Sequence, residues 1–506
     1  MSPLFIALLL PVVAAVALSR GAPLKLASTP VALANVLLIL GVMLSRGFVS
    51  PEVVSHVGSI AMLQSPALNL SVGVDGLSLL MALLTVVVSV CACWQIDNKR
   101  EGARAEHIVA HLISAGALGA FVCRDLLMLY AFHELALIPT LLIIALQGRG
   151  ESANRLRVAW KATVYLGVGS LILLAGLCWL MVSLTPEGAA LVTDLDSLLK
   201  LAKEHPLPAL KQAQIGLVLL VGFGTLVSLF PFHTWAAPAY ATAPVSTAML
   251  HSGVLKKFGI YGLLRVLPGM LPLALSQAWL QEALCWALLG NILWVGWVCI
   301  HQRNLDEMLA HSSVMHMGYL FLGLAAGGAV ALEGVALLAF AHGISIALLF
   351  ALAGRMRAQL GTLEFRRLGG LGSHSPALYV LFCFGMFASI GLPGLANFAG
   401  ELMIFVGCFG HPGATALGMV QWTAIAALWG VVMSAVYGLR ALRALFQGTS
   451  GSGLFLSDPP LAQRGGLVLL ASLLLVAGTC PWLPLRLIAP APKDKPAAGA
   501  VAPKAH

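Results

Sequence analysis

The sequence predicts an all-α membrane protein that crosses the bilayer about fourteen times. Apolar runs of bilayer length recur along all 506 residues, the chain is 59% hydrophobic and only 10% charged, and prolines interrupt two of the runs. A soluble domain would have about a quarter of its residues charged. We therefore expect one polytopic domain embedded in a lipid bilayer.

The spanning segments are placed by run length and by helix-breaking residues. The first apolar run has no basic residue before it, as a cleaved signal normally has, so we interpret it as an uncleaved helix. The predicted spans are residues 2–18, 28–46, 75–95, 107–123, 125–147, 160–183, 213–235, 243–264, 277–299, 308–327, 331–354, 375–409, 418–440 and 465–485.

Two further segments have a distinct composition. Between the sixth and seventh spans, "LVTDLDSLLKLAKEHPLPALKQAQ" has leucines at helical spacing and charges elsewhere, which predicts an amphipathic surface helix. Residues 488–506 are rich in proline, alanine and lysine and lack a hydrophobic face, so we predict a disordered tail.

Lysine and arginine occur mainly in alternate loops, which predicts that the N-terminus is outside. The short outer loops carry little more than Arg46, Arg124 and Arg265. An even number of spans returns the C-terminus to the outside, and this topology explains the net charge of +9 without a nucleic-acid partner. The predicted inner loops carry Arg20, Lys25, Lys99, Arg100, Arg104, Arg149, Arg155, Arg157, Lys161, Arg355, Arg357, Arg366, Arg367, Arg440, Arg443 and Arg464.

Prolines break the seventh and twelfth spans. Pro231 lies in "TLVSLFPFHTWAAPAY" and Pro393 in "ASIGLPGLANFAGELM", and each removes a helical hydrogen bond. Broken helices at matching places indicate an inverted repeat of helices 4–8 and 9–13, with an ion path at mid-membrane. The predicted regions are the N-terminal helices (1–106), a first unit (107–264), a second unit (277–440) and a C-terminal helix (465–485).

Few ionisable residues fall well inside the predicted spans. A lone histidine there is usually a packing residue, and a lone charge near a span end usually reaches the interface. Here acids, lysines and histidines occur together at mid-depth, where they should face a polar interior and pair with each other. Burial disfavours the charged form of each group, which favours proton exchange. The candidate proton-relay residues are Glu134, His251, Lys256, Lys257, His316, His342 and Glu401.

Several other kinds of chemistry have no motif in the sequence. The nine cysteines have no spacing typical of a zinc or iron–sulfur site. A P-loop, a dinucleotide fingerprint and a nucleophile elbow are also missing. We therefore expect no catalytic residue, cofactor or metal, and an ion gradient or a redox partner must drive the protein.

Seven motifs follow one another along the chain: "VGVDGLS", "FHELALIP", "FPFHTW", "GVLKKFGIYGLLR", "AHSSVMHMG", "AHGISIALLF" and "GLPGLANFAGE". This set resembles the antiporter-like proton-translocating subunits of complex I, a family that includes the Mrp antiporter subunits. The motif "GLPGL..F.GE" is similar to the M-type subunit of bacterial NADH–quinone oxidoreductase, whereas "LHS" before the lysines is more like the L-type and Mrp branches.

The resemblance implies a fourteen-helix fold with two inverted five-helix repeats. It also implies a non-catalytic subunit of a translocase in the bacterial inner membrane, with other membrane subunits as partners. By resemblance, Glu134 is the glutamate of the fifth helix and Lys257 the central lysine of the eighth. His342 matches the eleventh-helix histidine, and Glu401 the terminal acid of the second half-channel.

The sequence departs from the family pattern mainly in the first half-channel. The helix-seven lysine that should pair with Glu134 is Leu226, and the aspartate and histidine of "WLPDAH" are Pro238 and Tyr240. Without that lysine we expect Glu134 to lack its ion pair. Lys256 either fills a polar gap, reaches a lipid head group, or replaces the lost charge by reaching Glu134.

Other departures change single charges. The two basic residues before the family's "AYSS" are Asp306 and Glu307, and the tryptophan before the helix-five glutamate is His133. Two alternative functions stay open. One is ion coupling in a Mrp-like antiporter, a membrane-bound hydrogenase or an inorganic-carbon uptake complex, and the other is a non-conducting spacer.

Overall fold

The computed structural model describes residues 2–64, 67–410, 416–448, 456–459 and 461–489, so most of the predicted disordered tail lies outside the described residues. Helices dominate the fold. In chain order the elements are α1 (Pro3–Ser19), α2 (Leu24–Ala27), α3 (Thr29–Arg46), β1 (Ser55–Gln64), β2 (Ala67–Val74), α4 (Gly76–Gln95), α5 (Ala103–Val122), α6 (Leu126–Gln147), α7 (Ser152–Leu184), α8 (Leu195–Glu204), α9 (Ala209–Val227), α10 (Ala236–Thr242), α11 (Val245–Leu250), α12 (Lys257–Met270), α13 (Ala278–Leu289), α14 (Gly296–His301), α15 (Leu305–Ala326), α16 (Gly328–Leu360), α17 (Pro376–Ile390), α18 (Ala396–Cys408), α19 (Met419–Phe446), α20 (Leu461–Thr479) and α21 (Trp482–Ile488).

The predicted class, a mainly helical membrane protein, is confirmed. Within the described residues, nine helical stretches are long and apolar enough to span a bilayer, or ten if α20 and α21, which meet at 79°, form one span. The amphipathic segment forms α8, which buries Leu195, Leu198 and Ala202. The count of fourteen spans and the inverted repeat stay predictions.

The antiparallel hairpin β1–β2 was not predicted from the sequence. Its register pairs Ser59 with Ser71 and Ile60 with Leu70, with an irregularity on either side. Val57 and Ile60 are both exposed. The strand therefore has no buried apolar face, and its sequence lacks the alternation of apolar and polar residues that predicts a strand. The hairpin leads directly into the first turn of α4.

Both predicted helix breaks lie in non-helical chain. Pro231 lies between the end of α9 and the start of α10, and Pro393 lies between α17 and α18. Gly391 ends α17 with φ +83°, a left-handed cap conformation that glycine adopts without strain. Each break leaves backbone groups at mid-chain that side chains of neighbouring helices can reach.

The predicted eighth and ninth spans contain further irregularities. A π-helical segment, His251–Leu255, separates α11 from α12, and a second, Gly290–Val295, separates α13 from α14. Single π-turns of this kind are frequent at functional sites. The first π-segment ends directly before Lys256 and Lys257, so the lysine doublet lies where the helical register changes.

The core is centred on α16, in which an 18-residue apolar stretch is completely buried. This helix packs against α4, α11, α15, α17, α18 and α20. It therefore contacts helices of both predicted units, and a side chain at its middle lies at the centre of the molecule.

An ion-pair cluster that was not predicted joins residues of the predicted outer loops. Asp75, just before α4, accepts hydrogen bonds of 2.5 Å from both terminal nitrogens of Arg265 and one of 3.1 Å from Arg124. Arg124 also pairs with Asp196 of α8. The motif "VGVDGLS" contains this aspartate, but a sequence does not reveal its distant partners.

The electrostatics of this cluster favour the ionised carboxylate. Burial alone would raise the pKa of Asp75, but Arg265, Arg124 and the Ser78 amide outweigh burial and hold that pKa well below its usual range. The cluster therefore ties the ends of α4, α5, α8 and α12 together on one side of the molecule.

Candidate functional site

Lys257 and His342 meet at the centre of the molecule. The Lys257 ammonium lies 2.9 Å from His342 Nδ1 and donates to the Ser252 carbonyl at 2.7 Å. Both side chains are fully buried. When Lys257 is charged, its ammonium can only donate, so Nδ1 accepts and the neutral imidazole carries its proton on Nε2. The pair can therefore exchange a proton without water.

His316 on α15 lies beside His342, with ring centroids 5.5 Å apart. Its Nδ1 lies 2.8 Å from the Ser312 carbonyl and its Nε2 lies 2.7 Å from the Ser389 carbonyl. A carbonyl oxygen only accepts, and a neutral imidazole has a single N–H. Only the protonated ring satisfies both contacts, so this position can hold a proton.

Glu401 lies on the far side of the second break. Its carboxylate is buried against Gly391, two residues after the serine whose carbonyl contacts His316. Within the described part of the chain, Oε1 of Glu401 has no hydrogen-bond partner. One turn earlier, Asn397 donates to Ser345 of α16 at 3.4 Å. His316 and Glu401 thus both reach the irregular backbone around Pro393.

Lys256 points toward the second unit. Its ammonium donates to the Ser313 carbonyl of α15 at 3.2 Å and lies 5.3 Å from the Tyr240 ring centroid. Its side chain is only 1% exposed, which excludes the lipid head group. Among the described residues, which include both side chains, no hydrogen bond or ion pair joins Lys256 to Glu134. The proposed replacement of the lost charge by Lys256 therefore finds no support.

Glu134 has hydrogen-bond partners of its own, although the lysine of the family pattern is absent. Its Oε1 lies 3.3 Å from His133 Nδ1 and accepts the hydroxyl of Ser170 on α7. The His133 ring stacks on Phe258 at 4.1 Å. Leu226, at the position of the family lysine, is an apolar residue and is buried. The histidine in place of the family tryptophan thus gives Glu134 a polar neighbour within its own helix.

His251 lies in an aromatic environment instead of the lysine–histidine cluster. Its ring stacks on Trp235 at 5.5 Å and packs edge-on against Tyr240 at 5.2 Å. The structure thus brings Lys257, His342 and His316 together, places Glu401 beside them, and sets His251 and Glu134 apart.

Two buried polar sites were not predicted from the sequence. Ser28 contacts His107 at 2.7 Å and His111 at 3.1 Å on α5, and Glu106 pairs with Ser246 and Arg100. The predicted span began at residue 107, so Glu106 fell just outside it, and the two histidines inside it were not singled out. Their i, i+4 spacing was the available signal for the histidine pair. Among the described residues no group of three or more His, Cys, Asp or Glu could hold a metal ion.

The fold defines a polytopic membrane protein with a buried lysine, two buried histidines and a buried acid in its interior. A family model described as "NADH:quinone oxidoreductase/Mrp antiporter, TM" matches residues 123–438. The chain belongs to this family. The predicted resemblance to the antiporter-like, M-type subunits of complex I is confirmed.

Relatives and solved structures agree with this assignment. The "NAD(P)H-quinone oxidoreductase chain 4 2" of Microcystis aeruginosa is 32% identical over 456 residues, covering 89% of this chain and 78% of the relative. Its namesake in Trichodesmium erythraeum is 34% identical over 387 residues, covering 76% and 66%. A chain of "Respiratory complex I from Thermus thermophilus with bound NADH" matches with a TM-score of 0.84 and 29% identity, covering 96% and 97%.

Proposed function

We propose that this chain is a proton-translocating subunit of a complex I-like NADH–quinone oxidoreductase. Protons pass from Lys257, at the end of the first unit, into the second unit by way of His342, His316 and Glu401. The contact of 2.9 Å between Lys257 and His342 carries the proposal, because it joins the predicted first unit to α16 through two groups that exchange protons. Redox chemistry in partner subunits drives the transfer.

The lysine doublet sets how many protons the centre holds. Two like charges buried near each other repel, because the protein interior screens them less than water does. Lys256 and Lys257 are adjacent in sequence and both are buried, so a charge on one disfavours a charge on the other. A proton on Lys257 moves to His342 and then to His316, whose two carbonyl partners hold it before it crosses to Glu401.

The first unit works differently from the family pattern. Glu134 pairs locally with His133 and Ser170, and Leu226 and Tyr240 stand where the family has ionisable groups. The second unit therefore carries the proton path, while Glu134 has a supporting role. Reaction with NADH or quinone belongs to the partners, in keeping with the quinone oxidoreductase names of the relatives.

The proposed setting is the bacterial inner membrane, with both termini outside. The residues assigned to outer loops, Arg124 and Arg265, meet at Asp75. The residues assigned to inner loops, Arg149 and Arg357, meet at Asp306. This segregation supports the predicted sidedness. Under this proposal, neighbouring membrane subunits contact the chain on both sides.

Proton flux in inside-out membrane vesicles tests this function. Addition of NADH is expected to acidify the vesicle interior, and a protonophore should collapse the gradient while removal of sodium leaves it unchanged. The histidines and lysine of the path exchange protons and are poor ligands for an alkali cation, which prefers oxygen. Affinity purification through this chain should also recover iron–sulfur and quinone-binding subunits. Sodium-dependent flux without redox partners would instead indicate the antiporter alternative.

A further inference from the structure

A charged cavity opens at the predicted inner end of the molecule. It has a volume of about 700 Å³ and is lined by the loop after α4, the first turn of α5, and parts of α11 and α16. Its charged wall residues include Lys99, Arg100, Arg149, Arg355 and Arg357. A cavity of this size and polarity admits water.

Two of these cations share one anionic partner. Arg149 lies 3.1 Å from Asp306, and Arg357 pairs with the same carboxylate. The single negative charge of Asp306 therefore offsets one of the two positive charges of these arginines. The cavity wall keeps an excess of positive charge, beside which Asp97 and Glu106 supply negative charges.

Glu106 combines access to this cavity with burial. It lines the cavity but is only 4% exposed. One carboxylate oxygen accepts the Ser246 hydroxyl at 3.2 Å, and the other pairs with Arg100, whose side chain is 51% exposed. Arg100 can swing into water and leave the carboxylate free to take a proton. The serine bond holds the other oxygen against α11.

The helix held by this bond leads to the lysine doublet. Ser246 is in the first turn of α11, and the π-segment that follows α11 ends directly before Lys256. Thr247, His251 and Ser252 are buried along this stretch. Eleven residues separate Ser246 from Lys257, a rise of about 16 Å. These polar groups lie along the chain between the Ser246 hydroxyl and the lysine doublet, and the Lys257 ammonium donates to the Ser252 carbonyl at 2.7 Å.

We infer that Glu106 is the proton-loading group of the chain, which takes protons from the inner cavity and passes them along α11 toward Lys257. The inference rests on the proposed function, because it supplies protons to the same relay. It assigns a role to an acid outside the half-channel residues. It also provides an inlet along α11 that does not pass through Glu134 or Leu226.

The substitution Glu106→Gln in the assembled complex tests this inference. Glutamine keeps the shape and the bond to Ser246 but cannot carry the proton. We expect NADH-driven proton pumping to fall roughly tenfold or more, since loss of a positioned proton-transfer group costs at least that much. Glu101→Gln is the matched control. This exposed glutamate is on the same loop, and its substitution should leave pumping unchanged.

The outcomes separate this inference from the proposed function. Wild-type pumping in Glu106→Gln together with lost pumping in Lys257→Ala would overturn the inlet and leave the relay in place. Wild-type pumping in both variants would overturn the relay itself. If Glu106→Gln fails to assemble, Ser246→Ala removes only the hydroxyl that joins the acid to α11. It should lower pumping severalfold, and unchanged pumping would refute the inlet.

Discussion

Replacing Lys257 with alanine is expected to abolish NADH-driven proton pumping while the complex still assembles. The change removes the ammonium that contacts His342 at 2.9 Å and the Ser252 carbonyl at 2.7 Å. Loss of a positioned proton-transfer group costs roughly a hundredfold or more. It also removes a fully buried charged group, whose desolvation is costly, so the folded state should tolerate the truncation. Pumping in vesicles, with the amount of assembled complex as reference, measures the effect.

Lys256→Ala provides the comparison from the adjacent position. Its ammonium contacts a backbone carbonyl and an aromatic ring instead of another proton-exchanging group. We expect a severalfold loss at most. A larger loss of pumping in Lys256→Ala than in Lys257→Ala would show that the proton path runs through Lys256 instead of Lys257.

Replacing Asp75 with asparagine is expected to destabilise the protein by about 3–5 kcal/mol, the cost of removing one partner from a buried ion pair. The change leaves Arg265 and Arg124 without the carboxylate that both contact. The melting temperature of the purified complex should fall clearly. Asp196→Asn is the control, because this carboxylate pairs with Arg124 but is 53% exposed. Exposed pairs contribute about 0–1 kcal/mol.

The pH dependence of this stabilisation follows from the lowered pKa of Asp75. Between the folded pKa and the ordinary aspartate value of about 3.9, the unfolded chain binds more protons, so stability rises with pH there. The difference between wild type and Asp75→Asn should be constant above about pH 5 and shrink as the pH falls below 4. A difference that grows on acidification would contradict this assignment.

The sequence predicted the elements of this fold well where one physical rule dominates. Bilayer-length apolar runs located the helices, and proline located the breaks at Pro231 and Pro393. The β1–β2 hairpin was not predicted, because its strands have no buried face and so no clear alternation of apolar and polar residues. The π-segment His251–Leu255 escaped because a change of register leaves no mark in hydropathy.

The candidate site was predicted as residue types but not as contacts. Lys257 and His342 are 85 residues apart, and the sequence placed both at mid-depth without indicating that they contact each other. The structure supplies the two carbonyl contacts of His316 and the approach of Glu401 to Gly391. The partner of Glu134 could not be inferred from the missing lysine, because the adjacent His133 provides it.

The central claim is that protons pass from Lys257 into the second unit by way of His342, His316 and Glu401, and not through Glu134 of the altered first half-channel. The direct test is the number of protons pumped per NADH oxidised in vesicles that contain the assembled complex, with Glu401→Gln compared against Glu134→Gln. Both substitutions preserve side-chain shape and remove one ionisable group. The account predicts that Glu401→Gln loses pumping and Glu134→Gln keeps most of it. Retained pumping in Glu401→Gln with pumping lost in Glu134→Gln would contradict it.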